Sequence, residues 1–240
     1  MTAHAQAGGG SAAPGPDGHE ALLAALEAYR LVPVVVLEDA GDAVPLARAL
    51  TAGGLPVAEV TFRTAAAADA IRAIVDAGLT APADGSAPML LGAGTVTGPD
   101  QVDQAVAAGA SYVVSPGLSQ AVVERCAEHG VLALPGTATA TEVQAALAMG
   151  LRTVKFFPAE TSGGAPAIRA LTGPFPQMRF VPTGGINEAN VLDYLSIPAV
   201  RAAGGSWMVP ANAIAAKDFG AVARLTAAAT ALVSRAGSPA

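Results

Sequence analysis

From residue 31 onward one pattern repeats: a short apolar or β-branched run, a turn, then an alanine-rich stretch with apolar residues at i, i+3 and i+4, ending near a glycine. This alternation constrains the fold more than any other feature of the chain. Period-two runs predict strands, 3.6-residue spacing predicts helices, and strict alternation through short connections means parallel βαβ units. The strand candidates are LVPVVVL (31–37), VAEVTFR (57–63), MLLGAGT (89–95), YVVSP (112–116), VLALPG (131–136), TVKFFP (153–158), RFVPTG (179–184) and VRAAGGS (200–206). Ala43 to Ala52 and Ala65 to Ala77 read as two of the helices. Gly53, Gly78, Gly109, Gly130 and Gly150 follow helical runs, where glycine is the least strained left-handed terminator. Pro99 suits a first helical turn, Thr139 with Glu142 forms a candidate capping box, and Asn187 can cap the helix after the seventh strand.

Eight such units suit a closed barrel, with an open doubly wound sheet as the rival. No Gly-x-Gly-x-x-Gly follows the first strand, and several strands carry polar residues at alternate positions, as the interior and rim of a barrel require. The reading is an α/β fold, a single-domain (β/α)8 TIM barrel over residues 19–236. A short helix from 18 to about 30 leads it and a helix at 217–235 closes it. Residues 1–18, rich in Gly, Ala and Pro, read as a flexible tail without the apolar core of a signal peptide.

Composition narrows the function. With 52% hydrophobic and 13% charged residues, the 240-residue chain has enough apolar material for a large core. A net charge of −6 and a pI near 5.0 argue against nucleic acid or an anionic membrane as partner. No unbroken apolar run is long enough to span a bilayer, so the expected location is the cytoplasm. Cys126 is the only cysteine, and His4, His19 and His129 are scattered, so neither a disulfide nor a metal centre is expected. No cofactor is expected.

In parallel barrels the chemistry sits at the carboxyl ends of the strands. In VAEVTFRT, alternation places Val57, Glu59, Thr61 and Arg63 on one face and Ala58, Val60 and Phe62 on the other. The polar face suits the barrel interior; a plain Glu59–Arg63 ion pair is the structural alternative. In TVKFFP the inward set is Thr153, Lys155 and Phe157. Lys155 and Lys217 are the only lysines, and Lys155 has apolar flanks on both sides. A snorkelling surface lysine is the alternative. Desolvation, and a nearby cation such as Arg63, favour the neutral amine that attacks carbonyls; arginine could not serve, because it stays protonated. Gly92, Gly94 and Thr95 end the third strand, where glycines allow close backbone approach to a ligand and a threonine can donate to it. YVVSPG and LALPGT read as strands ending in rigid Pro-Gly turns. PTGGIN and AAGGSW end the seventh and eighth strands. Gly184, Gly185, Gly204 and Gly205 can present backbone N–H groups, with a helix dipole behind each loop and the Ser206 hydroxyl beside them, at the usual phosphate site of such barrels.

Taken together, the stretches AEVTFRT, GAGTV, VSPG, LPGTATATE, KFFPAE, GPFPQMRFVPTGGIN and GGSWMVP resemble the class I 2-keto-3-deoxy-6-phosphogluconate (KDPG) aldolases, which include 4-hydroxy-2-oxoglutarate aldolases. They run in family order and cover nearly the whole chain after residue 30. The resemblance implies a carbon–carbon lyase in which Lys155 forms a Schiff base with the ketone and Glu59 moves protons. It implies that Arg63 holds the pyruvate carboxylate and that Thr95, Phe157 and Thr183 contact a keto-acid phosphate substrate. By the same resemblance Gly184, Gly185, Gly204, Gly205 and Ser206 bind its phosphate, no metal takes part, and the chain forms a homotrimer. Thr183 is the type found in gluconate-specific members. A galactonate-type relative, or another phosphate-binding barrel enzyme such as an isomerase or epimerase, is the alternative. TFRT stands where TLRT is commoner; Phe62 is expected to face outward, without effect on catalysis. The loop 83–88 looks like an insertion.

Overall fold

The computed structural model describes residues 16–235. All eight strand candidates form: β1 (Leu31–Val35), β2 (Val57–Thr61), β3 (Leu90–Gly94), β4 (Tyr112–Ser115), β5 (Leu132–Thr137), β6 (Thr153–Phe156), β7 (Arg179–Pro182) and β8 (Ala203–Gly205). Every pairing is parallel, in the order β7-β6-β5-β4-β3-β2-β1-β8. Two isolated bridges, Phe180 with Val200 and Thr183 with Gly204, bring β7 against β8 and complete the ring. The closed barrel is therefore the fold, and the open sheet is not.

The helices are α1 (Pro16–Tyr29), α2 (Ala43–Ala52), α3 (Ala67–Asp76), α4 (Pro99–Ala108), α5 (Gln120–Glu128), α6 (Ala140–Ala148), α7 (Gly164–Thr172), α8 (Val191–Leu195), α9 (Ala211–Ala215) and α10 (Phe219–Arg235). The leading helix starts at Pro16, so it takes in three residues assigned to the tail; residues 1–15 and the last residue of the assigned barrel, 236, lie outside the described residues. Helix α1 is fastened by Arg201, which pairs with Glu20 at 3.0 Å and Glu27 at 2.8 Å. None of the described helices is long and apolar enough to cross a membrane.

Most of the local signals act as their chemistry predicts. Pro99 opens α4, Gly109 ends it at φ 99°, and Thr139 with Glu142 forms a complete capping box on α6. Three signals resolve differently. Gly53 has φ −78°, and the left-handed residue is Gly54 at 81°. Gly53 is small for another reason: a Cβ there would lie 2.5 Å from Thr226 Cβ, where α10 packs on α2. Asn187 does not cap α8; Asn190 occupies that position, and Asn187 instead accepts from Ala189 N at 2.9 Å in a tight turn. Pro135 and Gly136 are not a turn either. They belong to β5, where a Gly136 Cβ would lie 2.1 Å from the Pro116 carbonyl.

The core has two shells, and strand alternation separates them. On β6, Val154 and Phe156 are fully buried against the helices, with Phe156 edge-on to Phe180 of β7 at 6.3 Å between ring centroids. Burying each such side chain contributes about 1.5–3 kcal/mol. Lys155, between them, must then point into the barrel. The loop at 83–88 lies between α3 and β3, at the amino ends of the strands and opposite the site described next.

Candidate active site

Lys155 Nζ lies 3.2 Å from Glu59 Oε1, and the two residues are only 5% and 3% exposed. The surface-lysine alternative is thereby removed, and so is the Glu59–Arg63 pair. Arg63 donates instead from Nε to Thr95 Oγ1 at 3.3 Å. The group hydrogen-bonded to the amine is thus the acid Glu59, and the cation expected near it, Arg63, bonds to Thr95. A buried ion pair gains little stability over apolar packing, because desolvating both charges offsets their attraction. Its presence at the carboxyl rim of the barrel points to chemistry rather than to stability.

The pair sits over a small inner cavity of about 10 Å³ walled by Val32, Tyr112, Val114, Leu134, Val181 and Thr183. Above it opens a larger cavity of about 320 Å³, whose polar lining comes from Arg63, Thr183, Gly184, Gly185, Gly205 and Ser206. Phe157, Val34, Val36, Val209 and Ile214 supply its apolar wall. Thr183 borders both spaces, and the Phe157 ring centroid stands 5.2 Å from Lys155 Nζ. The amine is therefore reached from the outer cavity past one hydroxyl and one aromatic face. Phe157 is joined to Pro158 by a cis peptide bond. Thr95 has φ 57°, a strained value for a β-branched residue, and is held there at the end of β3 beside Arg63. Phe62 is half-buried and packs against the outer core, facing outward as expected.

The glycines of the site motifs are explained by what they make room for, which spacing alone did not reveal. A Cβ on Gly92 would lie 2.2 Å from the Tyr112 ring, and one on Gly94 would lie 2.3 Å from Glu59 Oε1. These two residues therefore admit protein side chains into the barrel, where a ligand had been expected. Fully buried Tyr112, a residue the motif reading passed over, lines the inner cavity with Glu59 and donates to Ala58 O at 3.2 Å. Gly204 yields to Thr183 Oγ1 at 2.3 Å and Gly205 to the Trp207 ring at 1.9 Å.

The two Gly-Gly segments also differ in kind. Gly204 and Gly205 lie inside β8, paired with Val32 and Pro33, so they form no loop; of the two, Gly205 lines the cavity. Gly184 and Gly185 do form a loop, at φ 103° and 79°. The helices that follow, α8 and α9, have five residues each, too short for the dipole support that the sequence suggested. Among the described residues, no group of three or more His, Cys, Asp or Glu is placed to hold a metal ion.

A buried amine facing a carboxylate at the carboxyl rim of a parallel barrel, beneath a cavity with backbone donors at its far end, defines a class: the barrel aldolases that work through a lysine imine. The chain belongs to the KDPG and KHG aldolase family, whose model matches residues 22–225. It is 53% identical over 202 residues to a 2-dehydro-3-deoxy-phosphogluconate aldolase of Treponema pallidum, covering 84% of this chain and 92% of the relative. It is 44% identical over 195 residues to the KHG/KDPG aldolase of Escherichia coli K12, covering 81% and 88%. The crystal structure of KDPG aldolase from Legionella pneumophila, with pyruvate captured at low pH as a covalent carbinolamine intermediate, superposes with a TM-score of 0.79 at 39% identity, covering 88% and 97%.

Proposed function

We propose that the chain cleaves 2-keto-3-deoxy-6-phosphogluconate to pyruvate and glyceraldehyde 3-phosphate. The observation that carries this reading is the buried contact between Lys155 Nζ and Glu59 Oε1. Glu59 takes a proton from the ammonium, and the neutral amine attacks the C2 ketone. Loss of water gives a protonated imine, the electron sink for the C3–C4 bond. Glu59, directly or through a water, removes the C4 hydroxyl proton as that bond breaks. The aldehyde leaves, the enamine is protonated at C3, and hydrolysis releases pyruvate and restores the amine.

The cavity's lining supports the remaining roles. Arg63, steadied by Thr95, holds the carboxylate. Phe157 and Thr183 flank the reacting carbon at the junction of the inner and outer spaces. Gly184, Gly185, Gly205 and Ser206 take the phosphate at the far end, and Gly204 acts by admitting Thr183. The Escherichia coli relative is named for both substrates, so 4-hydroxy-2-oxoglutarate is a second candidate. The reading extends to a cytoplasmic homotrimer, supported by composition and by the family resemblance.

Borohydride reduction in the presence of pyruvate tests the mechanism. The wild type is expected to gain a covalent adduct on Lys155 and the Lys155→Ala variant none; labelling of that variant would remove the nucleophile assignment. Comparing kcat/KM for KDPG, its galactonate epimer and 4-hydroxy-2-oxoglutarate then ranks the substrates. A clear preference for the last, which has no phosphate, would overturn the phosphate site.

A further inference from the structure

We infer that Glu160 and Tyr194 are positioning residues, which hold the Gly184–Gly185 loop in the form that presents its amides to the substrate's phosphate. The inference rests on the phosphate reading of that loop. Among the described residues, the backbone N–H groups of Gly185 and Ile186 meet no protein acceptor, and both residues line the outer cavity beside Gly184. Such a pair of free donors suits an anion only if the backbone behind it is immobile.

What stands behind it is the segment after β6. Ala159 N donates to Thr183 O at 2.8 Å and Glu160 N to Gly184 O at 3.1 Å, so the two loops are stitched together. The Glu160 side chain lies flat on Gly185: an added Cβ there would be 2.5 Å from Glu160 Cγ and 2.7 Å from Glu160 Cβ. The Glu160 carboxylate accepts a hydrogen bond from the hydroxyl of Tyr194 on α8, a residue only 1% exposed. Burial, with Glu160 beside it, pushes the Tyr194 hydroxyl well above its ordinary pKa, so it remains a donor. From the other side Asn190 Nδ2 donates to Gly185 O at 3.1 Å, and Asn190 Oδ1 accepts from Asn187 N at 2.9 Å.

Gly185 is thus held on its Cα face by a side chain that α8 anchors, and at its carbonyl by two asparagines. A carboxylate repels phosphate, which excludes Glu160 as a ligand. Its stem and its bond to Tyr194 are what it contributes.

The test is a titration of the full chain, labelled with 15N-glycine, with inorganic phosphate, reading the Gly184 and Gly185 amide shifts. Tyr194→Phe and Glu160→Ala are each expected to weaken phosphate about tenfold, the scale of a lost hydrogen bond to a charged group. Glu160→Gln, which keeps the stem and an acceptor, is expected to stay within about twofold of wild type by the same measure. In turnover, KM for the phosphorylated substrate rises with kcat unchanged, while borohydride trapping with pyruvate stays as in wild type. Phosphate affinity equal to wild type in both Tyr194→Phe and Glu160→Ala overturns the inference. So do tighter binding in both Glu160 variants, which would make the carboxylate a mere repulsive charge, and wild-type amides that do not respond to phosphate. If Glu160→Ala fails to fold, Tyr194→Phe against Glu160→Gln decides. A wild type that binds phosphate through these amides, loses it in Tyr194→Phe, and cleaves no keto acid would retain the inference and remove the proposed activity.

Discussion

Lys155 and Glu59 lie 96 residues apart in the chain, yet Nζ and Oε1 are separated by 3.2 Å across the barrel interior. The two groups divide the work of the site: Lys155 is placed as the nucleophile and Glu59 as its acid/base. The carboxylate is the proton acceptor within hydrogen-bond reach of the amine, and a buried charge left without its partner is costly.

Replacement of Glu59 is therefore expected to stop turnover without removing the nucleophile. Glu59→Gln should lower kcat by about 10²–10⁴-fold, the usual worth of a positioned acid/base, while slow borohydride trapping with pyruvate persists. Glu59→Ala should in addition lower stability, since removing one partner of a buried pair costs about 3–5 kcal/mol. Steady-state kinetics beside thermal melts separate the two effects.

Gly94 is a position where one methyl group should disable the site. Its Cβ would lie 2.3 Å from Glu59 Oε1 and 2.6 Å from Glu59 Cγ, so the carboxylate must move. Displacing a catalytic group by about 1 Å can cost about 100-fold. Gly94→Ala is expected to lose kcat on that scale while circular dichroism remains that of the native barrel; full activity would mean that Glu59 is not held where the mechanism needs it.

Acid stability should depend on Asp103 of α4. Arg125 of α5 grips it at 2.7 and 3.0 Å and His129 at 2.6 Å, and these hydrogen bonds, Arg125 first, hold its carboxyl at about 2 against an ordinary 3.8. A carboxyl depressed in the folded state adds stability above its unfolded pKa, and that contribution fades as pH falls through the window from 3.8 to about 2. Asp103→Asn should thus melt below wild type at pH 6, with the gap closing towards pH 2. A gap that is constant with pH would mean that the carboxylate's charge plays no part.

Cys126 should be silent in the folded enzyme. It is fully buried on α5, and burial pushes its thiol up to about 12, which leaves almost no thiolate at pH 8. A thiol-reactive chromophore is expected to label one equivalent only after denaturant is added, at the rate of unfolding. Rapid labelling of the native chain would show that α5 opens locally.

What the sequence by itself determined was what local periodicity and residue chemistry can carry. Alternating runs and helical spacing located all eight strands, and Pro99, Gly109 and the Thr139–Glu142 pair marked helix ends, because those signals act over a few residues. Inward alternation on the second and sixth strands singled out Glu59 and Lys155, since a charged group between apolar neighbours has a cost that demands a partner. Which partner each charge has, only closure of the ring decided. It set Lys155 against Glu59 and turned Arg63 toward Thr95. It also gave the glycines their meaning: Gly92, Gly94, Gly185 and Gly204 are small for the sake of Tyr112, Glu59, Glu160 and Thr183. Those contacts join side chains to backbone across or between strands, over distances at which a linear pattern holds no information about steric fit.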